Sequence, residues 1–194
     1  MNKEDYNNKI IDDAVEILND DGVIIVPTDT VYGLAVSSKS ETAINKIYSI
    51  KNRNFDKRLP IVVDTYERLM NVCEINKDTL KKLQPFYPGK ITLVLKKKNS
   101  EETVAVRMIN NEIINKIIEK LDCPLCLTSA NVSNKETSDD IMEIIDEFDG
   151  MADMVIMGNK TSKVCSTIID LTKDNVKLLR EGAVPFESIK EALK

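Results

Sequence analysis

No histidine occurs among the 194 residues. That absence excludes Ser-His-Asp and Cys-His catalysis, histidine zinc sites and imidazole proton shuttles together. Any chemistry must come from hydroxyls, carboxylates, lysine, arginine, backbone amides or a bound metal. Neither Gly-x-x-x-x-Gly-Lys-Ser/Thr nor Gly-x-Gly-x-x-Gly is present, so a P-loop or Rossmann cradle for a nucleotide is unsupported. No apolar run approaches the roughly 20 residues of a membrane span. The first residues, Met-Asn-Lys-Glu-Asp-Tyr, are polar and lead into no apolar stretch, so they do not read as a signal peptide and the expected compartment is the cytoplasm. No repeat, low-complexity tract or Pro/Gly-rich linker divides the chain, and a single domain over residues 1–194 is expected.

Hydrophobic residues make up 42% and charged residues 30% of the sequence, the composition of a globular chain rather than a disordered one. A chain of this length buries about 70% of its unfolded surface and can build a full core. Four cysteines, Cys73, Cys123, Cys126 and Cys165, come without an extracellular cue and are expected as free thiols. Cys123-Pro-Leu-Cys126 has the spacing of a redox pair or half a zinc site, but no second pair accompanies it and it lies in an apolar strand, which favours buried small hydrophobes. The net charge of −5 argues against a surface coated for nucleic acid. Locally the sign reverses: Lys51, Arg53, Lys57 and Arg58 face only Asp56 across Lys51 to Arg58, which reads as a localised anion site or as a solvated charge run.

The pattern along the chain is mixed. Ile10, Ile11, Ala14, Val15 and Leu18 predict a helix ending at Gly22, followed by the β-branched strand Val23 to Val26, which Pro27 should close. Thr28-Asp29-Thr30 then reads as a ligand-facing strand end or as an ordinary turn, with Tyr32-Gly33 letting the chain turn closely. Ser38-x-x-Glu41 predicts a capping box for a helix carrying Ala43, Ile44, Ile47 and Tyr48 inward. Strands are expected at Gly33 to Val36, Leu59 to Val63, Ile91 to Leu95, Thr103 to Arg107, Pro124 to Leu127, Met154 to Met157, Thr167 to Leu171 and Val176 to Leu179. Short helical pieces run from Asp64 to about Leu83. Ile113 to Ile118, the segment after Ser138-Asp139-Asp140, and Phe186 to Leu193 are further helices. The fold class is α/β in the mixed sense.

Polar clusters sit where the strands end: Thr28 to Thr30, Lys51 to Arg58, Thr103 with Arg107, Thr128 to Asn131, Ser166-Thr167 and Arg180. Alternation places Thr103, Ala105 and Arg107 on one strand face, so a hydroxyl and a guanidinium could share a cavity. Planar guanidinium suits carboxylate and phosphate, and hydroxyls with backbone amides suit phosphate. Such a cavity fits a nucleotide plus a small carboxylic acid better than a neutral metabolite.

These stretches together resemble a known family. Pro27-Thr-Asp-Thr-Val-Tyr-Gly-Leu34, Lys51-x-Arg53, Tyr87-Pro-Gly-Lys-Ile-Thr-Leu-Val-Leu95, Val104-Ala-Val-Arg-Met108, Thr128-Ser-Ala-Asn-Val-Ser133, Ser166-Thr-Ile-Ile-Asp170 and Leu179-Arg180 are similar, in order, to the motifs of the YrdC-like family. Its characteristic members are threonylcarbamoyl-AMP synthases. The resemblance implies a twisted mixed parallel/antiparallel sheet flanked by helices around a deep positively charged cavity. It also implies a reaction of L-threonine, bicarbonate and ATP that gives threonylcarbamoyl-AMP and pyrophosphate. A partner transferase would carry the threonylcarbamoyl group to the adenosine beside the anticodon of tRNA. Longer members have a second C-terminal domain, so this chain resembles the short bacterial form.

By motif position, Thr30, Arg107 and Ser166 would hold threonine, with Arg107 on its carboxylate. Lys51, Arg53, Thr103, Ser129, Thr137 and Arg180 would hold ATP, chiefly its phosphates, and Asn131 would shape the turn beneath them. The chain departs from the usual pattern at Asn54, Arg58, Val62, Asn134 and Lys163, with Val62 standing where a histidine often lies. No covalent nucleophile is expected from the protein. Mg²⁺ would come with ATP and be held mainly by its oxygens, since no carboxylate cluster stands out as a cage. Two other functions remain open: a double-stranded RNA or tRNA-binding module without chemistry, and another carbamoyl-adenylate-forming enzyme. The missing zinc-finger cysteine pairs speak against the latter.

Overall fold

Ile11, Ala14, Val15 and Leu18 are buried along helix α1 (Lys3–Asn19) of the computed structural model, which describes residues 3–132, 137–158, 164–173 and 175–194. The helix ends before Gly22. Asp21 takes the left-handed conformation, with φ 58°, and the Gly22 amide donates to the Ile17 carbonyl at 2.8 Å. Aspartate thus occupies the position where glycine was expected. Gly22 serves close approach instead, because a Cβ there would lie 2.4 Å from Ile17 Cγ2.

Strands β1 (Ile24–Pro27) and β2 (Tyr32–Ser37) follow. Tyr32 and Gly33 belong to β2 rather than to a turn, and Pro27 is the last paired residue of β1, opposite Tyr32. Helix α2 (Glu41–Lys51) is capped by Ser40, whose Oγ accepts the Ala43 amide at 2.9 Å. Ser38 does not take the role expected of it: it lies two residues before the cap, with its amide bound to the Pro124 carbonyl at 3.0 Å. Then come β3 (Ile61–Val62), α3 (Tyr66–Val72), β4 (Cys73–Glu74), α4 (Lys77–Leu83), β5 (Ile91–Lys97), β6 (Thr103–Arg107) and α5 (Glu112–Leu121). The rest is β7 (Leu125–Ser129), α6 (Ile141–Glu147), β8 (Met154–Val155), β9 (Thr167–Asp170), β10 (Lys177–Arg180) and α7 (Phe186–Leu193). The strands expected over Leu59 to Val63 and Met154 to Met157 shrink to two residues each, and β4 was not foreseen. Beyond those pairs the backbone finds single partners, such as the Val63 amide on the Arg107 carbonyl and the Ile156 amide on the Ile25 carbonyl.

Among the described residues ten strands form one mixed sheet in the order β10-β9-β5-β6-β3-β7-β2-β1-β8, with β4 paired to the far end of β5. The pairs β1·β8, β3·β6 and β5·β9 are parallel, and the remaining pairs are antiparallel. Register decides what each face carries, since neighbours across the ladder share a face and successive residues do not. One transverse row runs Arg180–Ile168–Thr92, steps to Arg107 just past the Leu93–Val106 pair, and continues Arg107–Val62–Leu125.

Over the half built by β1, β2, β7 and β3, this face is covered by α1 and α5, which bury Ile114, Ile117, Ile118 and Leu121 against Ile24, Val26, Ala35, Val62, Leu125 and Leu127. The opposite face carries α2 and α6 on one half, and α3, α4 and α7 on the half built by β5, β6 and β9. Helices therefore leave the first face of the β6-β5-β9-β10 half to the polar row. No described helix is long and apolar enough to cross a membrane.

Candidate functional site

The open part of that face forms a cavity of about 160 Å³. Its floor is the transverse row, with Arg107 and Val62 as paired neighbours of β6 and β3. The turn between β1 and β2 makes one wall. Thr28 builds that turn: its Oγ1 accepts from the amides of Thr30 and Val31 at 3.1 and 3.2 Å and donates to the Val31 carbonyl at 2.6 Å. The cluster is therefore a side-chain-closed turn and a cavity wall at once. Pro60, Val62 and Leu127 supply an apolar patch, and Thr128, Ser129, Cys165 and Ser166 complete the rim.

Arg107 is buried at the end of β6. Its Nη2 donates to Asp29 Oδ1 at 2.5 Å and to Thr30 Oγ1 at 3.0 Å, and its Nε to the Gly89 carbonyl at 3.3 Å. Burial lowers the pKa of this guanidinium while the Asp29 carboxylate opposes the shift. Arg180 donates from Nε and Nη2 to the Ser166 carbonyl at 3.2 and 2.8 Å, and Ser166 Oγ shares a hydrogen bond with Thr92 Oγ1 at 2.8 Å. Arg53 is fixed by the Lys57 carbonyl at 2.8 Å and the Arg58 carbonyl at 3.3 Å. All three guanidiniums are thus held by Nε and Nη2, and none of their Nη1 groups has a hydrogen-bond partner among the described residues. The described lining contains Arg53, Arg107 and Arg180 and no carboxylate, an arrangement suited to anions.

The basic segment divides. Arg53 reaches the cavity, whereas the exposed Arg58 pairs with Glu102 at 3.0 Å, and Phe55 stacks on Tyr48 with ring centroids 4.5 Å apart. Lys51 turns inward. Its Nζ donates to the carbonyls of Ser129 and Asn131, each at 2.5 Å, and to Asn131 Oδ1 at 3.2 Å. Burial, reinforced by Arg53, lowers its pKa to about 8. Asn131 Oδ1 also accepts from Ser129 Oγ at 2.5 Å, so Lys51 and Asn131 together fix the turn after β7.

Of the residues expected at the site, Thr30, Arg53, Arg107, Ser129, Ser166 and Arg180 line the cavity, and Lys51 and Asn131 stand behind its rim. Thr103 is exposed at the other end of β6, away from the lining, because β6 runs from the sheet's rim inward and only its last residue reaches the row. Thr137 is buried outside the described lining. Ser133, Asn134 and Lys163 lie outside the described residues. The motif reading gave no role to Asp29, Thr92 or Cys165. Thr92 had a signal, as the one hydroxyl inside the apolar run Ile91 to Leu95.

Cys73, Cys123 and Cys126 are buried and free, and burial raises the thiols of Cys73 and Cys126 to about 11. Among the described residues no three His, Cys, Asp or Glu side chains are grouped to hold a metal ion. A larger groove of about 790 Å³ lies between the β9–β10 connection and α7, but it carries lysines and no arginine and lies apart from the row.

A family described as telomere recombination, comprising Sua5, YciO and YrdC, matches residues 16–182. The threonylcarbamoyl-AMP synthase of Pyrococcus abyssi is 34% identical over 190 residues, 93% of this chain and 56% of that protein. The putative threonylcarbamoyl-AMP synthase of Methanocaldococcus jannaschii is 34% identical over 181 residues, 90% of this chain and 86% of its own. The crystal structure of Pyrococcus abyssi Sua5 complexed with L-threonine superposes with a TM-score of 0.86 at 34% identity, covering 94% of this chain and 57% of that one. The chain thus spans little more than half the length of the Pyrococcus relative.

Proposed function

Since the chain belongs to the Sua5, YciO and YrdC family, we propose that it is a nucleotidyltransferase that makes threonylcarbamoyl-AMP and pyrophosphate from L-threonine, bicarbonate and ATP. The observation that carries this reading is the conjunction of Arg107, Thr30 and Ser166 with two further guanidiniums around a small cavity, in a fold whose relative was crystallised with L-threonine. A volume of about 160 Å³ is too small for a whole nucleotide, whose sites typically run to ~300 Å³ or more. It suits an amino acid, with the triphosphate lying across the rim.

Arg107 offers its Nη1 edge to the threonine carboxylate, while the same lining supplies the Thr30 hydroxyl, bonded to Arg107 Nη2, and the Ser166 hydroxyl, bonded to Thr92 and Arg180. The apolar patch of Val62, Pro60 and Leu127 is where the threonine methyl packs. A methyl contributes only ~1 to 3 kcal/mol of discrimination, so serine is accepted at a reduced rate. Arg53 and Arg180 face the phosphates. Threonine's amine attacks the carbon of bicarbonate with loss of water, or of CO₂ with loss of a proton, and a carbamate oxygen then attacks the α-phosphorus as pyrophosphate departs. The protein contributes orientation and charge stabilisation rather than a covalent nucleophile, and orientation is worth up to ~7 to 11 kcal/mol. Mg²⁺ enters with ATP as part of the substrate and neutralises phosphate charge. The product is an activated acyl group, which a transferase would pass to the adenosine beside the anticodon of tRNA.

The test is pyrophosphate release by purified protein with Mg²⁺-ATP, omitting threonine or bicarbonate in turn, with mass spectrometry of the quenched product. Release that needs both, with a threonylcarbamoyl-adenylate mass, is the expected result. Folded protein that binds ATP or duplex RNA and releases no pyrophosphate would overturn the enzyme reading.

A further inference from the structure

Thr92 is buried in the floor of the cavity, and with Arg107 it takes the next position of the β5·β6 ladder past the Leu93–Val106 pair. Residues opposite each other on antiparallel strands share a face of the sheet, so the two side chains look into the same space. Thr92 Oγ1 has one hydrogen-bond partner among the described residues, Ser166 Oγ at 2.8 Å, and either hydroxyl can donate across that distance. Ser166 Oγ has one more, Arg180 Nη2 at 3.3 Å. Each hydroxyl brings one hydrogen, their mutual contact uses one of the pair, and a guanidinium only donates. One hydroxyl hydrogen is therefore left without an acceptor among the described residues, and both groups able to carry it line the cavity. The acceptor it lacks is one that a ligand brings.

The direction of the chain follows from its charged end. A hydroxyl that accepts from a cation becomes the stronger donor, and hydrogen bonds running one way polarise each other. That order is Arg180 Nη2 to Ser166 Oγ, Ser166 hydroxyl to Thr92 Oγ1, and Thr92 hydroxyl into the cavity. Across the ladder, Arg107 commits Nη2 to Asp29 and Thr30 and Nε to the Gly89 carbonyl, and keeps Nη1. A carboxylate on Nη1 alone misses the two-pronged grip of a free guanidinium, so one of its oxygens needs a further donor. We propose that Thr92 is a substrate-binding residue of the amino-acid subsite, its hydroxyl donating to the carboxylate oxygen that Arg107 leaves unbound. This inference rests on the amino-acid substrate proposed above and adds a second anchor for its carboxylate. Ser166 keeps a lone pair for the substrate, while Thr92 keeps the hydrogen.

Thr92→Val removes the hydroxyl at nearly constant shape. Calorimetric titration measures L-threonine, ATP and, by competition, L-2-aminobutyrate, which keeps the carboxylate and lacks the side-chain hydroxyl. T92V is expected to weaken both amino acids by the same factor, roughly tenfold to a hundredfold, the range of a hydrogen bond to a charged group. ATP is expected to bind nearly as before, because Arg180 keeps its bonds to the Ser166 carbonyl. T92S should restore most of the lost affinity, which a side chain that only packs the strand would not do. A cooperative melt shows that each variant is folded, and T92A takes the place of T92V should the latter not melt cooperatively. Unchanged affinity for the amino acids overturns the assignment by making the hydroxyl structural. Loss confined to L-threonine overturns it by giving the hydrogen to the substrate's own hydroxyl, and loss of ATP in place of the amino acids by giving it to a phosphate. Each of these leaves the substrate reading standing. Wild-type protein that binds ATP but not L-threonine overturns the substrate reading, and this inference falls with it.

Discussion

Lys51 and Asn131 meet twice, through the ammonium's bonds to the asparagine carbonyl at 2.5 Å and to its Oδ1 at 3.2 Å. With the Ser129 carbonyl at 2.5 Å, all three ammonium donors are engaged. Lys51 therefore braces the turn that presents Ser129 to the cavity. The expected outcome for Lys51→Met is loss of ATP binding together with loss of stability, since the turn loses three hydrogen bonds from a charged donor, each worth ~1.5 to 3 kcal/mol before relaxation. A thermal melt beside ATP titration checks this. Unchanged stability would mean that the brace is not needed to hold the turn.

Lys51 also confers a pH response. Its folded pKa of about 8 lies below the ordinary 10.5, so between those values the unfolded chain holds more protons than the native one. The contribution of this group to stability accordingly rises as pH climbs from about 8 to 10.5, and its unfavourable burial as a cation is fully felt below 8. In the same window the turn loses its charge-assisted bonds. Turnover is expected to fall above pH 8 through a limb that Lys51→Arg shifts or removes, read from the pH profile of pyrophosphate release.

Arg107→Ala is expected to abolish threonine binding and to cost stability. Removing one partner of a buried ion pair leaves the other uncompensated, at ~3 to 5 kcal/mol, and Asp29 is that partner here. Urea titration and threonine calorimetry measure the two effects separately. The double variant with Asp29→Asn should restore part of the stability and none of the binding.

Arg53 makes no contact with the Arg107 cluster and is half-exposed at the rim. Arg53→Ala should weaken ATP by about tenfold or more, the effect of one charge-assisted bond, and leave threonine nearly unchanged. Titrations showing the reverse order would place Arg53 in the amino-acid subsite.

Gly33→Ala tests the sheet beneath the site. A Cβ at that position would lie 2.9 Å from Leu127 Cδ2 and 3.0 Å from the Thr128 carbonyl, so β2 and β7 must separate or Leu127 must turn. The expected cost is ~1 to 3 kcal/mol of overpacking, seen as a lowered melting temperature, with weakened threonine binding because Leu127 is part of the cavity wall.

Much of the architecture was written in local pattern. The spacing of Ile113, Ile114, Ile117 and Ile118 specified α5, and the alternation of Thr103 to Arg107 specified β6, because side-chain period follows directly from backbone geometry. Missing histidine and missing glycine-rich loops confined the chemistry to hydroxyls, carboxylates, lysine, arginine, backbone amides or a bound metal before any contact was known. Local pattern ran out where partners come from elsewhere in the chain. Whether Gly33 turns or packs depended on Leu127. Alternation put Thr103 and Arg107 on the same face, yet only the ladder showed that one ends at the exposed rim and the other in the row running from Arg180 to Leu125. The inward turn of Lys51 and the pairing of Asp29 with Arg107 belong to the same class. Residue types and their periodicity determined which groups were available, and the long-range registers of the sheet decided which of them meet, because a strand's neighbours are set by tertiary pairing rather than by sequence distance.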